Sequence, residues 1–178
     1  MRQVAGDIIS PDQTCGIPGR SITSNLHLIR NVIEYCEYSQ HPSVLITFDQ
    51  SKAFDRVSHR YLFAVLERFG VGSSFIKWVR LLYSDIGSQV IVNGFLSDFF
   101  PVSRSVRQGC GLSPLLYALC IEPLAHRIRT DPRFSGVAVP GGIEEARVSQ
   151  YADDTSIIAR DGRSVWAAVE CFQLFVCA

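Results

Sequence analysis

The chain has 178 residues, 17 Lys and Arg against 17 Asp and Glu, 47% hydrophobic residues and 6 Cys. That length fits one domain, or one with a small appendage, and 11 Phe beside only 19% charged residues exclude a disordered charged tail. Zero net charge argues, on composition alone, against a nucleic-acid partner, because phosphates are usually met by a basic excess. No run approaches the roughly 18 apolar residues of a membrane span, and the N-terminus carries no long apolar signal segment, so an intracellular globular unit without a membrane partner is expected. The cysteines form no CxxC pair and match no histidine spacing, which leaves core filling as their default and a zinc site improbable.

In chain order, residues 12–21 are turn-rich and cannot form one regular element. Ser21 can cap a helix whose apolar stripe is Ile22, Leu26, Ile29, Val32, Ile33 and Cys36. After His41-Pro42, the run Ser43–Asp49 is apolar on both faces and reads as a central, covered strand. Helical spacing returns over Ser58–Phe69 and Ser73–Tyr83. Gln89–Gly94 reads as a strand entering a turn, with a partner strand near Phe99–Ser105. Ser113-Pro114 supplies an N-cap and a proline for a helix toward Arg129, which Pro123 should kink or shorten. The last third offers a strand near Val137–Val139, a Gly141-Gly142 turn, a hairpin from Arg147 to Ala159 and a closing helix over Ser164–Val176. Strands and helices mix without strict alternation, which predicts an α+β fold.

The hairpin tip is Tyr151-Ala152-Asp153-Asp154, where two like charges meet beside an apolar sheet. Such a pair resists ionisation unless a cation compensates it. Mg2+ suits a site of few protein oxygens, since it retains water and substrate phosphates in its shell. Asp49 also ends an apolar strand, and adjacent strands in one sheet would bring it to the same edge. Three carboxylates there would make a site for two divalent ions that clamp the attacking and leaving oxygens of phosphoryl transfer. A bare Asp-Asp pair is otherwise a turn, and Asp49 alone a strand cap.

Three segments then occur in order: Phe48-Asp49-Gln50-Ser51-Lys52-Ala53-Phe54-Asp55, Arg107-Gln108-Gly109-Cys110-Gly111-Leu112-Ser113-Pro114 and Tyr151-Ala152-Asp153-Asp154. Over residues 12–178 the chain resembles the reverse transcriptase of a non-LTR (LINE-type) retrotransposon. The resemblance implies a right-handed polymerase palm with part of the fingers, with residues 1–42 on the fingers side, residues 43–178 in the palm and no thumb. It implies RNA-directed DNA polymerisation with two Mg2+ ions (Mn2+ as a substitute), an RNA template, a DNA primer and dNTPs. Asp49, Asp153 and Asp154 would be the catalytic carboxylates, with the Gln50 carbonyl beside the metals. Phe54 would exclude a ribose 2′-OH, and Gln108 and Gly109 would lie against the incoming nucleotide. Arg20 and Arg107 would touch nucleic-acid phosphates, and Lys52 and Asp55 would form a buried ion pair or a turn bond.

Gly111 stands where many relatives have Pro, so a more mobile loop is expected. The resemblance also implies that basic fingers, thumb and endonuclease segments belong to a longer parent, so this fragment alone should bind nucleic acid poorly. With the four acids of the candidate centre set aside, the remaining charge is basic, and zero net charge no longer excludes a nucleic-acid enzyme. Two other readings are a decayed, inactive transposon remnant that at most binds nucleic acid, and a metal-dependent nuclease. The nuclease leaves Phe54 and the Gln108–Pro114 loop unexplained.

Overall fold

Strand β7 (Asp154–Ala159) forms the centre of a three-stranded antiparallel sheet, between β1 (Val44–Phe48) and β6 (Val148–Tyr151). The computed structural model describes residues 2–141 and 144–176. From Thr155 to Ala159 every residue of β7 is buried, as both faces of a central strand must be. The run Ser43–Asp49, expected to be central, is instead the edge strand: Val44 and Leu45 keep 40% and 42% of their surface. An apolar run reports that a strand can be covered on both faces, but not which strands flank it. Phe48 still anchors β1 to the core by stacking on Phe172, centroids 4.0 Å apart.

Seven helices are present among the described residues. They are α1 (Arg2–Ile8), α2 (Ile22–Ser39), α3 (Ala53–Arg56), α4 (His59–Arg68), α5 (Ser73–Tyr83), α6 (Ser113–Thr130) and α7 (Gly162–Val176). The core gathers around α6, from which Leu115 to Glu122, Leu124, Ala125 and Ile128 are all buried. It packs on α4, α7 and β6. A helix buried nearly all round shows little amphipathic signal, so only its start was legible. That start also shifts: Leu112 is the N-cap, and Ser113 lies within the helix with its hydroxyl buried and without a hydrogen-bond partner. Pro123 is accommodated inside a helix that continues to Thr130.

Ser21 caps α2 as expected by accepting the Thr23 N–H at 3.2 Å. The buried face is Asn25, Val32 and Cys36, however, while Ile22, Leu26 and Ile33 stay exposed. Ser58 caps α4 through the Tyr61 N–H, and Asp161 accepts the Ser164 N–H at 2.8 Å in the first turn of α7.

The expected hairpin between α5 and α6 is two short ladders with a different register. Strand β2 (Gly87–Ser88) pairs with β5 (Phe100–Pro101), and β3 (Ile91–Val92) with β4 (Phe95–Leu96). Asn93 and Gly94, both at positive φ, supply the two-residue turn that matches strand twist. Val137 forms only an isolated bridge with Ala146. Gly142 of the expected glycine turn lies outside the described residues. Among the described residues no helix is long and apolar enough to cross a membrane.

Candidate active site

Antiparallel pairing of β1 with β7 places Phe48 opposite Thr155, so the next residue of β1's chain, Asp49, comes level with Asp154. On the other side of β7, Tyr151 pairs with Asp154 and closes the hairpin through Ala152 and Asp153. Asp49 and Asp154, 105 positions apart in the chain (154 − 49), are thus brought to one sheet edge by strand register. Asp49 and Asp154 are exposed and Asp153 is half-buried.

The tip is held from outside. Ala152 adopts φ +54°, a left-handed conformation that is uncommon for a residue with a Cβ. The fully buried Gln13 clips it. Its Nε2 donates to the Ala152 carbonyl at 3.1 Å, and its Oε1 accepts the N–H groups of Ala152 at 3.0 Å and Cys15 at 2.9 Å. Main-chain bonds from Thr14 to Gln150 and from Gln150 to Asp12 extend the clip, and Asn25 of α2 donates to Ser149 Oγ and the Gln150 carbonyl. A buried polar layer fixes the hairpin that carries Asp153. Apart from Gln13's place in a turn-rich segment, nothing in the sequence marked it, because its partners lie 139 residues away.

Replacing Gln13 with Ala strands the half-buried Ala152 and Cys15 amides and the Ala152 carbonyl. The expected loss is about 2–4 kcal/mol of unfolding free energy in urea. A loss below about 0.5 kcal/mol would remove the clip from this account.

On the opposite flank, Tyr117 of α6 donates its phenol O–H to Gln50 Oε1 at 3.1 Å and stacks on Phe54, centroids 4.6 Å apart and planes 10° from parallel. Burial pushes the Tyr117 phenol well up, and the Asp153 carboxylate nearby pushes it further. Burial likewise raises the Cys15 thiol, with Asp153 adding to it. Gln50 has its Nε2 buried without a partner, and its carbonyl already accepts the Ala53 N–H.

Phe54, Arg107, Gln108, Gly109, Cys110, Gly111, Ser113 and Pro114 line one open cavity of about 450 Å3. That is within the size range of small-ligand sites. The larger cleft, about 840 Å3, lies between α1, α4 and α6, away from the acidic edge. The loop that supplies Gln108 ends in a turn in which Ser113 N–H donates to the Cys110 carbonyl. Gly109 takes φ +77° there, a conformation that favours glycine.

Of the expected contacts, that of Arg20 is corrected. Arg20 points its guanidinium at the carbonyls of Gly6, Ile9, Ser10 and Gln13, so four of its N–H donors fasten α1 to the following loop instead of facing a phosphate. Lys52 and Asp55 are both exposed and form no buried ion pair, but the alternative, a turn bond, is present: the Asp55 N–H donates to the Lys52 carbonyl at 2.9 Å, and the Asp55 side chain accepts from Ser105 Oγ at 3.3 Å. The three carboxylates share an edge, but among the described residues no three Asp, Glu, His or Cys side chains stand close enough to cage a metal as placed. The donor set nevertheless suits a hard divalent ion: accessible carboxylate oxygens on two paired strands, open to water and phosphate.

The family profile described as reverse transcriptase (RNA-dependent DNA polymerase) matches residues 1–176. This chain belongs to the reverse transcriptase family. A Xenopus laevis protein, the transposon TX1 uncharacterized 149 kDa protein, is 33% identical over 178 residues, which is 100% of this chain and 14% of that protein. The Pol polyprotein of the Drosophila melanogaster retrotransposable element R2DM is 29% identical over 84% of this chain and 14% of its own length. This reverse transcriptase chain thus spans about 14% of the length of these curated relatives, which are non-LTR retrotransposon proteins. Its fold is shared with a Candida tropicalis apo telomerase truncated from its C-terminal domain: TM-score 0.64, 12% identity, 91% of this chain and 32% of that one. The α+β fold expected from the sequence is the one found.

Proposed function

We propose that this chain is the catalytic core of an RNA-directed DNA polymerase that adds dNTPs to a DNA primer on an RNA template by a two-metal mechanism. The observation that carries the reading is the β1–β7 register, which sets Asp49 level with Asp154 beside the tip that bears Asp153. Asp49 and Asp153 would hold two Mg2+ ions (Mn2+ would also serve), with Asp154 and the second lone pair of the Gln50 carbonyl beside them. Bound there, the ions would favour ionisation of the primer 3′-OH and neutralise charge at the α-phosphate and departing pyrophosphate.

The chain's own groups do the positioning. Gln13 holds the tip at a fixed turn geometry, so Asp153 needs little reorganisation. Tyr117 orients Gln50 and backs Phe54. The Phe54 ring forms one wall of the cavity, where a rigid plane beneath the sugar leaves no room for a 2′-oxygen. Gln108 offers an amide to the sugar or base, Gly109 permits close main-chain approach, and Arg107 can meet a phosphate.

The test is primer extension by the full-length parent on an RNA template with dNTPs and Mg2+. Extension that a chelator stops is the expected result, and no extension with Mg2+ or Mn2+ overturns the reading. Phe54→Val adds a finer measurement. Its ratio of ribonucleotide to deoxyribonucleotide incorporation should rise by roughly 10- to 100-fold, the range a pocket can extract from small steric differences. An unchanged ratio would remove Phe54 from sugar selection.

A further inference from the structure

We propose that Lys52, Arg56, Arg104 and Arg107 form a basic seam beside the Phe54–Gln108 cavity, and that this seam captures the polyphosphate tail of a free nucleotide and steers it inward. The kinetic consequence rests on the polymerase reading above; the affinity for polyphosphate does not.

The seam is built by the main chain. The Val106 N–H donates to the Phe54 carbonyl at 2.9 Å, the Ser105 N–H to that of Val57 at 2.8 Å and the His59 N–H to that of Ser103 at 3.2 Å. Ser58 and Arg104 form an antiparallel bridge within the same pairing. Residues 103–107 thus lie alongside residues 52–59. Lys52 and Arg56 flank Phe54 on either side in the chain, and Arg107 lines the cavity with it. Lys52 takes φ +55° and Ser105 φ +99°, both left-handed. Such conformations persist only where the surroundings fix them, and here the Asp55 and Arg56 N–H groups hold the Lys52 carbonyl.

The charge of the seam has no internal counterpart. Arg30, Arg80, Arg129, Arg133 and Arg147 each pair with a carboxylate. Lys52, Arg56, Arg104 and Arg107 are all exposed, and among the described residues none of them makes an ion pair. Over residues 50–59 and 103–108 the single acid is Asp55, whose carboxylate already accepts from Ser105 Oγ. A chain of zero net charge therefore keeps an uncompensated positive strip beside one cavity. Surfaces of one sign raise the local concentration of oppositely charged ligands and speed their capture.

The dimensions favour a compact polyanion over a nucleic-acid strand. Ser103–Val106 spans at most about 14 Å even when fully extended. The cavity it borders, about 450 Å3, is of small-ligand size. A nucleoside triphosphate matches both parts, with an uncharged sugar and base for the cavity and a multiply charged tail for the seam.

The experiment compares the full-length parent with its Arg56→Gln/Arg104→Gln variant at low salt. The kcat/KM for dATP should fall about tenfold while kcat holds within about twofold, because steering acts on free nucleotide and not on the bound complex. Raising the salt to about 0.5 M should shrink the difference below about twofold, since screening then acts within a few ångströms. Arg56→Lys/Arg104→Lys should keep most of the rate, because steering needs charge and not the guanidinium fork. Lys77→Gln/Arg163→Gln removes two exposed charges elsewhere and should leave kcat/KM unchanged. Inorganic tripolyphosphate, titrated without metal or nucleotide, should bind Arg56→Gln/Arg104→Gln at least about fivefold more weakly than the unmutated parent. Unchanged kcat/KM at low salt, or tripolyphosphate binding indifferent to both arginines, overturns the seam. Weaker template–primer binding with an unchanged KM for dATP also overturns it, in favour of a nucleic-acid backbone contact. Tripolyphosphate binding that depends on both arginines, in a parent that extends no primer, upholds the seam and sinks the polymerase reading instead.

Discussion

Asp153→Asn in the full-length parent is expected to lower primer extension by on the order of 10³-fold while leaving the protein folded. The size follows from what the charge does. Metal stabilisation of a phosphoryl transition state is worth several kcal/mol, and each 1.4 kcal/mol is about tenfold in rate. Folding should survive because the clip on the tip is made to the main chain of Ala152 and not to the Asp153 side chain. Asparagine keeps the shape and loses only the charge, so thermal melting should shift little. Asp49→Asn should behave alike, since its carboxylate follows the same strand pair. Extension near the unmutated rate in Asp153→Asn, with an intact fold, would sink the catalytic assignment. Loss of extension together with loss of the fold would point to the hairpin instead, and Gln13→Ala supplies that comparison.

The reading of the site from sequence rested on local chemistry for Asp49 and Asp153, carboxylates at the ends of apolar strands, and on the family resemblance for Phe54 and Gln108. The structure brings Asp49 and Asp153 to one edge and Phe54 and Gln108 to one cavity. What was illegible is what depends on contacts between distant parts of the chain. The Ser43–Asp49 run has the composition of a covered strand, yet β7, no more apolar, occupies the centre. Asn25 lies on the stripe face of α2, three residues after Ile22, but as a polar residue it carries no core signal; it is buried because its amide donates to Ser149 Oγ and the Gln150 carbonyl. Arg20 reads as a free cation because its four acceptors are main-chain carbonyls, which composition cannot reveal. Polar side chains that satisfy distant backbone leave no periodic trace, and here they fasten the N-terminal segment to the hairpin that bears Asp153.

That fastening has a second anchor, and removing it should cost the fold more than any other single change proposed for this chain. Arg129 of α6 bonds Asp12 at 2.6 Å and Glu122 at 2.5 Å, and Glu122 also accepts the Ser10 N–H. The Glu122 side chain is 5% exposed, so Arg129→Met leaves a buried carboxylate without its cation. Breaking one side of a buried pair costs about 3–5 kcal/mol, and that is the loss expected in urea unfolding near neutral pH. The pH dependence separates this cause from simple loss of packing. Burial raises the Glu122 carboxyl above its usual range and Arg129 pulls it partly back, so without the arginine it stands higher still. A carboxyl whose folded pKa exceeds its unfolded one makes the native state the better proton binder. Its contribution to stability therefore improves as pH falls from the folded pKa toward the unfolded one. The deficit of Arg129→Met relative to the unmutated protein should accordingly shrink on acidification toward about pH 5. Adding Glu122→Met should recover much of the loss at neutral pH, because an apolar replacement of the whole pair removes the stranded charge. A deficit that stays constant with pH, or a double variant no better than the single one, would show that Arg129 acts by packing alone.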